Sequence, residues 1–183
     1  MLVALWEDAG EAWVLLTRRA GHLRTHKGEV SFPGGAQDPG ESLVETALRE
    51  AQEEVGLDPS SVELVGELDR LSTMSNAVSI APVVGFLPGR PTGLSANADE
   101  VAEILLVPLG ELLLEEVFRE EEWAFDGASR SMHFFELRGD TVWGATARIL
   151  HQLLSLVLDQ AAGVEHPSAG EEGDEDGGDH QAG

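Results

Sequence analysis

The 183-residue sequence contains no cysteine and no tyrosine, and it has no long uninterrupted run of apolar residues. The lack of cysteine excludes disulfide bonds, thiolate metal ligands and thiol nucleophiles, and we take a reducing cytoplasm as the default compartment. Because no stretch of about eighteen residues is continuously apolar, no transmembrane helix is predicted. The first residues have neither the basic segment nor the pattern of a secretory signal, so none is predicted.

Basic residues are also scarce, with 11 Lys and Arg against 34 Asp and Glu and a formal net charge of −23. This balance argues against nucleic acid or an anionic membrane as a partner. Seven of the acidic residues lie within 164–183, a Gly-rich stretch that has no Lys or Arg and almost no apolar side chains. We therefore expect one domain over 1–162 and a disordered acidic tail over 163–183.

The most informative segment begins at a glycine and runs into an acidic helix. Gly35 is followed after five residues by Glu41, and after seven more by Arg49-Glu50-Ala51-Gln52-Glu53-Glu54-Val55-Gly56-Leu57. Apolar residues recur every three or four positions, which predicts an amphipathic helix over 42–56. Asp38 or Ser42 could cap its start, and Gly56 suits its C-terminal end.

Three carboxylates of this helix, those of Glu50, Glu53 and Glu54, follow the i, i+3, i+4 spacing and share one face. Their mutual repulsion is relieved by a cation, and hard divalent cations take oxygen ligands. Arg49 lies four residues from Glu53 and from Glu45, so it can orient carboxylates. The plain alternative is a solvated acidic face, but the turn-forming Pro33-Gly34-Gly35 upstream favours a metal–diphosphate site.

The spacing G-x5-E-x7-R-E-U-x-E-E-x-G-U, with U apolar, resembles the signature of the Nudix hydrolases. The resemblance implies Mg²⁺ or Mn²⁺ as cofactor, with Glu50 and Glu54 as the main ligands. It implies Glu53 as a third ligand or as the base for the attacking water, and a metal contact from the Gly35 carbonyl. Glu41 and Arg49 are implied as positioning residues, and the identity of the general base stays open.

A second motif precedes the first and resembles the coenzyme A diphosphatase branch of that superfamily, L-L-T-x-R-[SA]-x3-R-x3-G-x3-F-P-G-G. It is matched in register by Leu15, Leu16, Thr17, Arg19, Ala20, Arg24, Gly28, Phe32, Pro33, Gly34 and Gly35. The segment 18–27 holds four of the 11 basic residues and no acid. We therefore predict Arg19 and Arg24, with the Gly34–Gly35 loop, as substrate-binding residues. Simple balancing of nearby acidic surface is the alternative for these cations.

The branch resemblance implies hydrolysis of coenzyme A or a derivative to 4′-phosphopantetheine and adenosine 3′,5′-bisphosphate. The alternatives are a Nudix hydrolase of NADH, ADP-ribose or a nucleoside triphosphate such as a dNTP, and a non-catalytic binding module. Members of the branch commonly carry a longer segment before the first strand, and a homodimer is possible. Several other residues could approach the site, and the sequence does not rank them: Ser75, Asn76, Asp99, Glu100, Glu120, Glu121 and Glu122.

The remaining periodicities predict an α/β (α+β) fold, which the resemblance sharpens to a Nudix fold with a mixed β-sheet between helices. Ile149, Leu153, Leu156 and Val157 of the final helix should face the core. Asp126-Gly127 should lie near the turn of a hairpin over 119–137. Strands are predicted over 2–7, 12–18, 30–32, 62–71, 80–87 and 101–107, and helices over 109–117 and 145–161.

Overall fold

The computed structural model describes residues 1–72, 78–125 and 128–163. These described residues form two α-helices, α1 (Leu43–Val55) and α2 (Gly144–Gly163). Short 3₁₀ turns cover Pro59–Ser61 and Glu111–Leu113. The strands are β1 (Leu2–Asp8), β2 (Glu11–Arg19), β3 (Val30–Ser31), β4 (Glu63–Glu67), β5 (Leu71–Ser72), β6 (Ser79–Ile80), β7 (Val83–Phe86), β8 (Val101–Pro108), β9 (Phe118–Phe125), β10 (Ala128–Leu137) and β11 (Asp140–Val142).

The central sheet is mixed. Strand β1 pairs antiparallel with β2 and parallel with β7, and β4 continues the sheet beyond β7. Strand β8 pairs along most of β2, while β3 pairs only with Thr17 and Arg18 near its end. Two peptide segments that both lead to the predicted site, β3 and the end of β2, are thus held side by side.

The two faces of this sheet bury different side chains, as the alternation of a strand requires. Leu2, Ala4 and Trp6 of β1 pack in one cluster with Ala47, Ala51 and Val55 of α1. Val3 of β1 packs on the other face, in a cluster that contains Ala147, Ile149 and Leu150 of α2. The sheet therefore lies between two helices, and the predicted layer arrangement is confirmed.

A second antiparallel sheet, β9–β10–β11, packs beside α2. Phe118 of β9 lies opposite Phe135 of β10, and the pairing continues to Phe125 and Ala128. This confirms the predicted hairpin, although Asp126 and Gly127 lie outside the described residues. The predicted tail after Gly163 lies outside them as well.

The helix predicted over 109–117 is wrong. Only Glu111–Leu113 forms a 3₁₀ turn, in which the Leu113 and Leu114 amides donate to residues three positions earlier. Leu109, Leu112 and Val117 are buried without a helix. A helix this short gains too little from its own hydrogen bonds to form where packing does not require it.

The predicted strands over 62–71 and 80–87 are each shorter than expected. The first gives β4 and β5, and all five residues of β4 are exposed because it is an edge strand of the sheet, so the expected half-buried strand is wrong. The second is interrupted at Ala81–Pro82, since proline has no amide hydrogen to donate to a ladder.

Helix α2 extends past the core that it covers. Its buried residues end with Leu153 and Leu154, whereas Leu156 and Val157 are 49% and 46% exposed. Their predicted core position is therefore wrong, since burial in α2 does not continue past Leu154. In the described part of the chain, neither helix combines the length and apolar character needed to cross a bilayer.

Candidate active site

Helix α1 starts and ends at defined residues. Ser42 caps its first turn, with its hydroxyl accepting from the Glu45 amide and the Glu45 carboxylate accepting from the Ser42 amide. This capping box explains why Ser42 rather than Asp38 is the N-cap. Gly56 closes the helix in the left-handed conformation, with φ of 69°. The register of the three acidic residues on the helix is fixed between these two caps.

Arg49 links the helix to the loop that precedes it. Its guanidinium donates to Glu41 Oε1 at 2.7 Å, to Glu53 Oε2 at 3.0 Å and to the Ala36 carbonyl at 3.1 Å. It also lies 2.9 Å from Glu50 Oε1. A planar fork can hold several oxygens in fixed directions at once. Arg49 therefore positions the loop and two of the acidic side chains relative to each other.

Glu41 is held as a charged group by this network. It accepts from Arg49, from the Thr46 hydroxyl at 2.8 Å and from the Asp38 amide at 3.1 Å. These donors, Arg49 first, lower the pKa of the Glu41 carboxyl to about 2. Glu41 acts on the loop through hydrogen bonds, in agreement with a positioning residue.

Glu50 faces the glycine loop at close range. A Cβ placed on Gly35 would lie 2.5 Å from the Glu50 carboxylate, so any other residue at position 35 would displace that group. The Glu50 side chain is only 12% exposed. Burial raises its pKa, against the opposing effect of Arg49. The Gly35 backbone and a partly desolvated carboxylate thus share one small volume.

Glu54 is the most buried of the three acidic residues, with 3% of the residue exposed. One carboxylate oxygen accepts from the Gly34 amide at 3.2 Å. Burial raises the pKa of Glu54 to about 7, and the neighbouring Glu50 and Glu100 add to the effect, while the Gly34 amide and Arg19 oppose it. This concentration of buried negative charge calls for a cation.

The Glu53 side chain is 55% exposed and bonded to Arg49, and its charge acts on Glu50. Glu100 instead approaches both Glu50 and Glu54, closely enough to disfavour the charge of each. The Glu100 carbonyl accepts from the Ala20 amide at 2.8 Å, which anchors this loop beside the end of β2. No local sequence pattern marks Glu100, since only the pairing of β8 with β2 brings it here.

The donor set fits a hard divalent cation. Glu54 supplies buried and Glu50 partly buried carboxylate oxygens, Gly35 brings its backbone against Glu50, and Glu100 adds further negative charge. Across residues 1–72, 78–125 and 128–163, no three His, Cys, Asp or Glu side chains already converge as a ligand cluster. The remaining positions would then be filled by water and substrate oxygens, which Mg²⁺ commonly uses.

The basic residues before the loop lie in different environments. Arg18 is neutralised by Asp140 at 2.5 Å and Glu103 at 2.6 Å. Arg19 lies close enough to Glu54 to stabilise its charge, and in the described chain its buried Nε has no hydrogen-bond partner. Arg24 is exposed on the loop after β2 and does not line the cavity described next. The structure thus brings Arg19 to the carboxylates and leaves Arg24 apart.

A cavity of about 1210 Å³ opens beside the glycine loop. Gly34 and Gly35 line it on the side of the carboxylates, and the hairpin of β9 and β10 lines it across from them with Trp123, Met132 and His133. Ligand pockets are commonly about 300–1,000 Å³. The cavity is therefore large enough for an extended nucleotide derivative, and the glycine loop that lines it contacts Glu50 and Glu54.

Comparison with known proteins agrees with the fold and the motif. A sequence model of the NUDIX domain matches residues 1–126. The uncharacterized Nudix hydrolase NudL of Photorhabdus laumondii is 41% identical over 147 residues, which are 79% of this chain and 76% of that protein. Nudix hydrolase 3 of Caenorhabditis elegans is 35% identical over 172 residues, which are 86% of this chain and 72% of that protein.

A solved structure of a MutT/nudix family protein from Enterococcus faecalis has the same fold. It gives a TM-score of 0.58 at 21% identity and covers 86% of this chain and 60% of that one. The predicted mixed sheet between helices is thereby confirmed as a Nudix fold. The chain belongs to the Nudix family, and it is a Nudix hydrolase acting on nucleoside diphosphate derivatives.

Proposed function

We propose that the protein hydrolyses the diphosphate bond of coenzyme A or one of its acyl or oxidised derivatives. The products are a 4′-phosphopantetheine species and adenosine 3′,5′-bisphosphate. The observation that carries this proposal is the meeting of two motifs: Arg19 of the first stabilises the charge of Glu54 in the second. The shared Gly34–Gly35 loop contacts both Glu54 and Glu50.

We propose Glu50 and Glu54 as ligands of Mg²⁺ or Mn²⁺, together with the Gly35 carbonyl and Glu53. When bound, the cation supplies charge neutralisation for the phosphate oxygens and a lowered pKa for a coordinated water. Glu53 reaches the substrate side only if its contact with Arg49 opens, because Arg49 now holds its carboxylate. Glu100 is a further candidate, since it already approaches both buried carboxylates.

Different side chains of the protein have different roles in hydrolysis. Water attacks one phosphorus, the bridging P–O bond breaks, and the leaving phosphate carries away the electron pair. Glu53 or Glu100 accepts the proton of the attacking water. Arg19 binds phosphate oxygens, and Arg49 with Glu41 keeps the loop against the helix. We keep Arg24 as a candidate that would contact the substrate only from its exposed loop.

The same proposal includes a small-molecule substrate, a cytoplasmic location and a possible homodimer. The absence of cysteine agrees with a reducing compartment. Retention of Glu50, Glu53 and Glu54 argues against a binding module that lacks catalysis.

Initial rates on a panel of coenzyme A, NADH, ADP-ribose and a dNTP test the substrate assignment. We expect the highest kcat/KM for coenzyme A or its acyl forms. A higher kcat/KM for NADH, ADP-ribose or the dNTP would keep the metal site and overturn the coenzyme A assignment.

A further inference from the structure

The cavity collects positive charge that the protein does not neutralise itself. Three arginines line it: Arg19, Arg130 and Arg148. In the described part of the chain, none of the three has a carboxylate at ion-pair distance. Among the described lining residues the only carboxylate is that of Glu29, which bonds to His26 at 2.8 Å. The lining is therefore cationic in a protein whose net charge is −23.

Unpaired arginines are unexpected in this composition, because acidic residues outnumber basic ones 34 to 11. Several arginines outside the cavity have acidic neighbours, for example Arg18 with Asp140 and Arg119 with Glu136. Such pairs form readily on an acidic surface. An arginine kept free inside a cavity retains its guanidinium fork for a ligand, and a phosphate matches that fork in charge and geometry.

The three arginines have different surroundings. Arg19 stabilises the charge of Glu54 and so belongs to the carboxylate end of the cavity. Arg148 lies on the second turn of α2 and acts electrostatically on His133 of β10. Arg130 lies on β10, opposite Trp123 of β9. The hairpin and α2 therefore contribute positive charge at a wall separate from the one that carries Arg19.

Acidic residues near this wall have partners of their own. Glu120 of β9 accepts a hydrogen bond from Ser131 and lies 3.8 Å from His133 Nε2. It does not line the cavity. Gly144, Ala145 and Thr146 of the first turn of α2 do line it, and the amides of a first helical turn favour an anion. The arginines supply most of the positive charge at this wall, and the helix N-terminus adds to it.

We propose that Arg148, assisted by Arg130, forms a second anion subsite that binds a phosphate monoester borne by the substrate apart from its diphosphate. The inference rests on the proposed function, because coenzyme A has a 3′-phosphate of this kind. It also specifies the substrate class: nucleoside diphosphate derivatives with an additional phosphate are preferred over those without one.

Binding of two products that differ by one phosphate tests the subsite without catalysis. Isothermal titration calorimetry in EDTA compares adenosine 3′,5′-bisphosphate with 5′-AMP. For the unmodified protein we expect the bisphosphate to bind about tenfold more tightly or better, as a charge-assisted contact allows. The double variant Arg130→Gln/Arg148→Gln should lose this preference.

A control variant separates a local contact from a general loss of charge. Arg90→Gln/Arg138→Gln removes two arginines that do not line the cavity, so the net charge changes equally. We expect this control to retain the preference, with the melting temperature of each variant confirming that it is folded. Equal binding of both nucleotides by the unmodified protein, or a preference that survives in Arg130→Gln/Arg148→Gln, overturns the subsite.

Hydrolysis of coenzyme A and 3′-dephospho-coenzyme A distinguishes this inference from the proposed function. Turnover of both substrates with equal kcat/KM, without a binding preference, would leave the coenzyme A assignment standing and remove the subsite. A bisphosphate preference that depends on Arg148, in a protein that cleaves neither substrate, would establish the subsite and overturn the assignment.

Discussion

The two sides of the cavity differ in how their charges are compensated. On the α1 side, Arg49 contacts Glu41, Glu50 and Glu53, so its charge is fully used within the protein. On the hairpin side, Arg130 and Arg148 line the cavity without a carboxylate partner among the described residues. The first arrangement fixes a geometry in advance, whereas the second leaves charge available for a ligand.

The carboxylates on the two sides of the cavity differ in how far they are exposed. Glu54 is buried and Glu50 partly buried against the glycine loop, and burial raises the pKa of both. The acids of β9 are exposed and bonded to neighbours, as Glu122 is to Ser129. Burial of two neighbouring carboxylates is costly, and because Arg49 beside Glu50 offsets only part of this cost, a cation is favoured there. The charge on the α1 side therefore favours a cation, and the arginines on the hairpin side favour an anion.

The largest effect is expected for the buried carboxylate of the α1 side. Glu54→Gln removes a proposed metal ligand while keeping an oxygen that can accept from the Gly34 amide. We expect kcat to fall by about two orders of magnitude or more. The melting temperature should not fall, because the substitution removes a charge that is costly to bury. Glu63→Gln on the exposed strand β4 is the matched control, and near-normal turnover in Glu54→Gln would contradict the ligand assignment.

The next effect concerns the network that fixes the loop. Arg49→Lys keeps the charge but cannot hold Glu41, Glu53 and the Ala36 carbonyl with one planar group. We expect kcat to fall by about tenfold to a hundredfold with little change in KM. Steady-state kinetics measures both constants. A variant with normal kcat would show that the network does not position the catalytic groups.

A smaller effect should follow from filling the space at the glycine loop. In Gly35→Ala the new Cβ meets the Glu50 carboxylate at 2.5 Å, so that side chain must shift. We expect the Mg²⁺ concentration for half-maximal activity to rise about tenfold. In Gly21→Ala the new Cβ meets no atom within 4 Å, and this variant serves as control. An equal Mg²⁺ requirement in both variants would argue against a metal site at Gly35.

The smallest effect is a pH dependence on the hairpin side. Burial lowers the pKa of His133, and the nearby His151 and Arg148 act in the same direction, while Glu120 opposes them. A histidine with a lowered folded-state pKa contributes stability that is present above its unfolded value of about 6.5 and is lost as the pH falls from that value through the lowered folded-state value. The melting temperature should therefore drop less between pH 7.5 and 5.5 in His133→Gln than in the unmodified protein. An identical drop would contradict this account.

The α1 side could be predicted largely from sequence because its determinants are local. The capping residues, the i, i+4 contact of Arg49 with Glu53 and the C-terminal Gly56 all lie within one helix. One local expectation did not hold: Glu45 does not bond to Arg49, because its carboxylate completes the capping box. The Ser42 amide and Arg49 are both within reach of Glu45 along the chain, and Glu45 bonds to the Ser42 amide.

Groups contributed by distant segments could not be predicted in the same way. Glu100 reaches the carboxylates through the pairing of β8 with β2, and Arg148 reaches the cavity through the packing of α2 on the sheet. Both depend on contacts between distant segments, which periodicity does not encode. The same limit explains the errors at 109–117 and at Leu156, where apolar spacing alone did not show how far the core extends.

The most direct test of the central claim is chromatography of the products after incubation of the protein with coenzyme A and Mg²⁺ or Mn²⁺, beside an EDTA control. We expect 4′-phosphopantetheine and adenosine 3′,5′-bisphosphate in equal amounts with metal and neither product with EDTA. Cleavage that continues in EDTA, or products cut at another bond, would contradict it.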